Sequence, residues 1–361
     1  MIVQTVFGGK IMFTNKAKIL SLTVLSSSLL LAGCGLFGTE KIQKIDPPKS
    51  VSVEENAADK DTSAKQKKEE NSIMTELYLI DKNGYVVPQT FNLPKTKSVA
   101  KQALEYLVVN GPVEEMLPND FRAVIPEGTE LSVDIDKDNG VATVNFSNEF
   151  KNYQPEDEMK ILQSVTWTLT QFDGVEKVKL KMNGHDLTEM PVNGTPISEN
   201  LSRESGINFD TEDVVDISNT KPLTVYYIGG EEGSYYYVPV TRRVNLNEKD
   251  PIVAAVNELI NGPSDNSNLV TGFMPDAKLL EAPKYKDGTV TLNFNKNIYG
   301  SSEENVISQN VLESLVLSLT EQEGIEKVAI QVDGKAELKN DQGKKLTEPV
   351  TRPEKVNTGS F

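Results

Sequence analysis

The sequence contains one cysteine, Cys34, and one histidine, His185, among 361 residues, and that scarcity limits the chemistry open to it. A disulfide within the chain is impossible, a cysteine-ligated zinc site has no ligands, and a serine-histidine or cysteine-histidine mechanism would have to use His185. That histidine falls in Asn183-Gly184-His185-Asp186, at the end of a predicted strand and away from any nucleophile motif, where it reads as an exposed turn residue. Two carboxylates flanking a sugar bond would suffice for a glycosidase. The acids that recur best, Glu176 and Glu326, sit beside lysines on the polar face of a predicted strand, where solvation explains them. Phosphate loops, dinucleotide fingerprints and metal-ligand spacings are absent from the sequence. It therefore predicts no catalytic residue, no metal and no cofactor, and a protein that is not an enzyme. The least ordinary group is Tyr226, Tyr227, Tyr235, Tyr236 and Tyr237. Strand alternation sends about half of them outward, which makes them a candidate contact surface for a protein or a glycan. Cross-strand pairing explains them as well.

The elements that position these residues are written twice. Gly174-Val-Glu-Lys-Val-Lys-Leu-Lys-Met-Asn-Gly184 returns as Gly324-Ile-Glu-Lys-Val-Ala-Ile-Gln-Val-Asp-Gly334. Each copy is a helix-stopping glycine, an alternating strand and a turn pair. At a domain-sized offset of about 150 residues, Asn110-Gly111-Pro112 returns as Asn261-Gly262-Pro263, and Val144-Asn145-Phe146 as Leu292-Asn293-Phe294.

Copy one opens with a predicted hairpin, Leu77-Tyr-Leu-Ile80 and Tyr85-Val-Val-Pro88, turning at Asp81-Lys-Asn-Gly84. A helix capped by Ser98 and stopped at Asn110-Gly111-Pro112 follows. A second hairpin sets Leu131, Val133 and Ile135 against Ala142, Val144 and Phe146. A long helix from Pro155 then buries Ile161, Leu162, Val165, Leu169 and Phe172, with Trp167 to one side. Copy two repeats the order, with helices from Asp250-Pro251 and from about Glu303 to Thr320. The expected class is α+β: two tandem domains, 73–190 and 222–361, each β-β-α-β-β-α-β with helices on one face of a mainly antiparallel sheet. Each copy is expected to fold by itself. Residues 191–221 read as a linker whose isolated apolar residues could tie it to one copy, and the polar insertion around Glu337 to Lys345 reads as a longer surface loop.

The first 33 residues form an export signal, basic up to Lys18 and apolar from Ile19 to Leu31, with Met1 and Met12 both open as the start. The run is short for a permanent membrane span. It ends in a lipobox, Leu31-Ala32-Gly33-Cys34, similar to bacterial lipoprotein precursors, in which the cysteine takes a diacylglyceryl group on sulfur and an acyl group on its new amino terminus. Cys34 is therefore the expected lipid anchor. Residues 34–72 read as a disordered tether. The whole chain carries −16, and a chain beginning at Cys34 loses three lysines and carries −19, a balance that excludes nucleic acid as a partner.

With this lipobox, the acidic tether and two copies ordered helix-Asn-Gly-Pro, Val/Leu-Asn-Phe and Gly-Val/Ile-Glu-Lys-Val, the chain resembles the GerM family of sporulation and germination lipoproteins from Bacillus-type spore formers. The copies look like that family's GerMN domains. The resemblance implies a fold like the ring-building modules of secretion systems and no catalytic residue. It also implies a lipoprotein on the outer forespore membrane, facing the intermembrane space and serving the SpoIIIA-SpoIIQ complex as an assembly factor. A protein that binds or modifies peptidoglycan is the alternative.

Overall fold

The computed structural model describes residues 72–212, 217–299 and 305–358. Cys34, the rest of the lipobox (Leu31, Ala32 and Gly33) and the tether up to residue 71 lie outside these. In copy one, β1 (Ser72–Asp81) and β2 (Val86–Pro94) form the first hairpin. The Asp81 carboxylate closes its turn by accepting from the backbone N–H groups of Asn83 (2.9 Å) and Tyr85 (2.8 Å), which is the local bond that makes aspartate a turn residue. The helix α1 (Val99–Glu105) is shorter than expected, because after Tyr106 the chain turns and Val108 bridges to Ile125. Asn110-Gly111-Pro112 thus lies beyond the helix rather than at its end. Its glycine is still required, since a Cβ on Gly111 would come within 2.6 Å of the Val108 carbonyl oxygen. β3 (Phe121–Arg122) then adds two residues to the edge of β1.

The second sheet of copy one contains β4 (Leu131–Asp136), β5 (Val141–Phe146), β6 (Lys177–Met182) and β7 (His185–Asp186), in that spatial order. Between β5 and β6 the chain runs through α2 (Glu158–Leu169). A crossover of this kind makes the two strands parallel, and they are, so the mainly antiparallel sheet contains one parallel pair. The hairpin register is the expected one: Leu131 faces Phe146, Val133 faces Val144 and Ile135 faces Ala142. Copy two repeats the plan with β8 (Thr220–Gly229), β9 (Tyr236–Asn245), α3 (Pro251–Asn261), β10 (Lys284–Lys286), β11 (Thr289–Phe294), β12 (Val306–Ile307), α4 (Gln309–Thr320), β13 (Lys327–Val332), β14 (Lys339–Asn340) and β15 (Val350–Thr351). Its sheet order is β10-β11-β13-β15, again with a parallel β11–β13 pair. The α+β class and the duplication hold. The insertion expected as a surface loop is instead part of the fold, because it carries β14, which pairs with β12, and buries Leu338 and Asn340.

Each copy therefore has a hairpin and a sheet, and its long helix packs against both. A helix between two layers is buried all round. Trp167, expected at one side, is fully buried, and so are Ser164 and Thr168. These small polar residues close the open edge of β1. Thr168 Oγ1 accepts from the Tyr78 N–H (3.2 Å), and Ser164 Oγ donates to the Tyr78 carbonyl oxygen. In copy two Ser318 Oγ accepts from the Tyr226 N–H at 2.8 Å. The repeated motifs have equally structural roles. Asn145 Oδ1 accepts from Gly184 N (2.7 Å) and Asn293 Oδ1 from Gly334 N (2.9 Å), so the asparagine of each Val/Leu-Asn-Phe fastens the turn after the signature strand. Glu176 and Glu326 donate their backbone N–H groups to Gly140 and Gly288, and their side chains lie over those glycines.

Glu158, at the start of α2, is buried and accepts from the backbone N–H groups of Val192, Asn193 and Thr195 and from the Tyr153 hydroxyl. Burial pushes its pKa up, but these donors outweigh it and bring the carboxyl down to about 2. An unfolded glutamate titrates near pH ~4.3. The anchor's contribution is therefore full above that value and is lost as pH falls from there towards 2. Urea unfolding midpoints should drop across this window, and Glu158→Gln should be less stable at pH 7 with a flatter acid dependence.

The two copies do not keep separate cores. One continuous apolar cluster takes in Leu77, Trp167 and Phe146 of copy one with Val238, Leu315 and Phe294 of copy two. Leu162→Asp puts an unpaired carboxylate into it, at a cost of several kcal/mol. Near-UV and far-UV circular dichroism should show both copies lost in one transition, and a copy two that stayed folded would mean that the shared core is dispensable.

Candidate functional site: the seam between the copies

Of the five tyrosines expected as a contact surface, Tyr226, Tyr227, Tyr236 and Tyr237 are buried, and Tyr235 alone is open, at 43% exposure. Strand alternation turns none of these four to water, because both faces of the β8–β9 hairpin are covered. Helices α3 and α4 pack on β8, and β9 packs against β2 of the other copy. The tyrosines do make contacts, but with this chain. Tyr236 donates its hydroxyl to Asp81 Oδ2 of copy one at 2.7 Å and sets its ring edge-on to Phe121, 5.2 Å between centroids. Burial, reinforced by the Asp81 charge, raises the Tyr236 phenol far above its ordinary value. Tyr237 is held through its backbone and Tyr227 donates to the Glu258 and Gly262 carbonyls.

The seam repeats the same bonds in both directions. Asn208, which follows copy one, accepts from Val86 N and donates to the carbonyls of Val86 in β2 and Pro239 in β9. Asn357, which follows copy two, accepts from Tyr237 N and donates to the carbonyls of Tyr237 in β9 and Pro88 in β2. Every one of these bonds measures 2.7 or 2.8 Å. The preceding residues cross over in the same reciprocal way: Ile207 pairs with Thr241 of copy two, and Val356 with Thr90 of copy one. Residues 191–221, expected as a linker, thus carry the tail that completes copy one and clasps copy two. Leu201 bridges Val178 just as Val350 pairs with Val328.

An ionic cluster closes one end of the seam. Arg203 lies over the Trp167 ring, 4.4 Å from its centroid, and pairs with Glu321 of copy two at 2.7 Å. Arg352 lies over Tyr226, pairs with Glu321 at 3.5 Å and approaches Glu76 of copy one at 3.9 Å. Burial alone would push Glu321 up, but Arg203 and Arg352 together hold it below the usual carboxylate value. Burial also pushes Tyr226 up to about 12. Beside this cluster a groove of about 1100 Å³ opens, with Met74, Leu312, Val316 and Val350 on its apolar side. His185, Glu176 and Glu326 are exposed and lie away from it. Reasoning from the sequence missed Asn208, Asn357, Arg203 and Arg352. A signal was present: Arg203-Glu-Ser-Gly-Ile-Asn208 matches Arg352-Pro-Glu-Lys-Val-Asn357 in the arginine, the β-branched residue and the asparagine.

Two α+β modules of one design, joined by a reciprocal seam, define a tandem-domain protein. Residues 76–188 and 224–338 each match the Germane family, described as sporulation and spore germination. The spore germination protein GerM of Bacillus subtilis (strain 168) is 56% identical over 360 residues, spanning 95% of this chain and 98% of that protein. The solved tandem GerMN domains of the sporulation protein GerM from Bacillus subtilis superpose with a TM-score of 0.76 at 60% identity, covering 80% of this chain and 100% of the solved one. The chain belongs to the Germane family, and its two copies are tandem GerMN domains.

The Tyr236–Asp81 bond should be measurable in isolation. Tyr236→Phe keeps the ring against Phe121 and removes only the hydroxyl, so unfolding should lose about 1.5–3 kcal/mol, as for a hydrogen bond to a charged group. A Phe variant as stable as the parent in chemical denaturation would show that the seam does not depend on this bond.

Proposed function

We propose that this chain is an exported lipoprotein, anchored through Cys34 and serving spore formation and germination as a non-enzymatic assembly and stabilising factor for the SpoIIIA-SpoIIQ complex between the forespore membranes. The observation that carries this reading is the use made of the perturbed charged groups. Glu158 binds the segment that follows copy one, and the Arg203–Glu321 and Arg352–Glu76 pairs tie one copy to the other. Groups shifted by their surroundings are where catalysis is ordinarily sought, and here each of these is engaged in joining parts of the chain. What the welded pair offers a partner is surface. The lipobox, Leu31-Ala32-Gly33-Cys34, supports the anchor, since two or three acyl chains hold a protein on a membrane where one does not.

Cys34→Ser should abolish acylation and processing at that residue, read by mass spectrometry of the amino terminus, and should lower spore yield. His185→Ala, Glu176→Gln and Glu326→Gln should each leave spore yield close to that of the parent. Affinity isolation from sporulating cells should recover SpoIIIA-SpoIIQ proteins, whereas recovery of peptidoglycan alone would favour a wall-binding role. A single carboxylate-to-amide change that abolished spores at normal protein level and localisation would turn the reading towards an enzyme.

A further inference from the structure

The outermost strands of the two equivalent sheets are β4 and β10, and among the described residues each pairs with one strand only. The parallel registers make their positions comparable. Val141 lies opposite Lys177 and Thr289 opposite Lys327, so Val141 and Thr289 occupy the same place in the two copies. Asp136 faces Val141 where Lys286 faces Thr289, and Asp134 faces Thr143 where Lys284 faces Thr291. All four charged residues are exposed. The duplicated edge therefore carries two aspartates in copy one and two lysines in copy two, at matched positions.

Local roles account for part of this. Asp136 accepts from Asp138 N, Asn139 N and Asn139 Nδ2 in its turn, and Lys284 pairs with Glu281 at 2.8 Å. Asp134 and Lys286 have no such partner among the described residues. Charge on an open edge also keeps like edges from pairing. Protection of that kind works with either sign, and it does not require the sign to reverse between the copies. Reversal does something more: β4 repels β4 and β10 repels β10, but β4 of one molecule attracts β10 of another. Because the two edges are equivalent, they meet antiparallel when their solvent faces lie on the same side, and in that arrangement each aspartate finds a lysine.

We propose that β4 is a docking edge for β10 of a second copy of this chain, giving head-to-tail association. Such a contact uses two different surfaces, so it leaves a free edge at each end of the pair and continues to further molecules. The interaction is weak and salt-sensitive, as exposed ion pairs are, and it favours molecules crowded on a surface.

The test uses the full chain in phospholipid vesicles, as a mixture of unlabelled and nitrogen-15-labelled protein. A carbodiimide joins a carboxylate to an amine only at direct contact, and mixed-isotope peptides identify links between molecules. Links from Asp134 or Asp136 to Lys284 or Lys286 across isotopes are expected. Lys284→Glu with Lys286→Glu removes the reacting amines and should abolish these links. Adding Asp134→Lys with Asp136→Lys should restore linkage between the swapped residues, with circular dichroism confirming an intact fold throughout. The proposal is overturned if the parent gives no mixed-isotope link between these edges, if links form only within one molecule, or if the fourfold swap fails to restore them.

Discussion

The structure depends on two asparagine side chains standing where two strands cannot pair. β2 and β9 are outer edges of their hairpins and face each other across the seam. An unpaired edge leaves backbone donors and acceptors unsatisfied, which is costly once it is covered. A carboxamide supplies an acceptor and two donors in one plane. Asn208 and Asn357 use all three, each taking both backbone groups of one strand residue and the carbonyl of a residue across the seam. Both adopt left-handed backbone, at φ 45° and 55°, which asparagine tolerates better than most residues. An aspartate in either place would lose both donors.

Around that bridge the energetics favour one body over two. Apolar contact is continuous from one copy to the other, and the charged groups at the seam are paired across it. Glu321 sits between Arg203 and Arg352, and the Tyr236 hydroxyl donates a hydrogen bond to Asp81. A buried pair of this kind adds little beyond well-packed apolar residues, but breaking it by removing one partner is expensive. The arrangement therefore penalises separation more than it rewards union. Each copy is completed by a tail that also clasps its neighbour, so the duplication has produced interdependence and not two beads on a string.

Divergence between the copies follows the same division. Positions that hold turns and layers together have stayed alike: Asn145 and Asn293, Glu176 and Glu326, Thr168 and Ser318. Positions facing solvent have diverged, down to the sign of charge on β4 and β10. His185, with Lys335 in its place in copy two, belongs to the second group.

Local pattern alone was enough for the duplication, the α+β class, both hairpins of copy one, the register of the second, and the caps of α3, because each depends on residues close in sequence: period-two alternation, turn pairs, and Asp250 bonded to the N–H groups of Ile252 and Val253. The parallel β5–β6 and β11–β13 pairs follow from the same order once a helix intervenes. Tertiary structure decided the rest. Whether Tyr226, Tyr236 and Tyr237 face water depends on what covers the hairpin, and the cover comes from α3 and α4 and from residues more than one hundred positions away, Asp81 at Tyr236 and Asn357 at Tyr237. Trp167 is buried because α2 lies between two layers, a fact that a one-sided stripe cannot express. Arg203, Arg352, Asn208 and Asn357 lie in stretches without regular alternation, so periodicity is silent about them; their importance comes from the strands they meet.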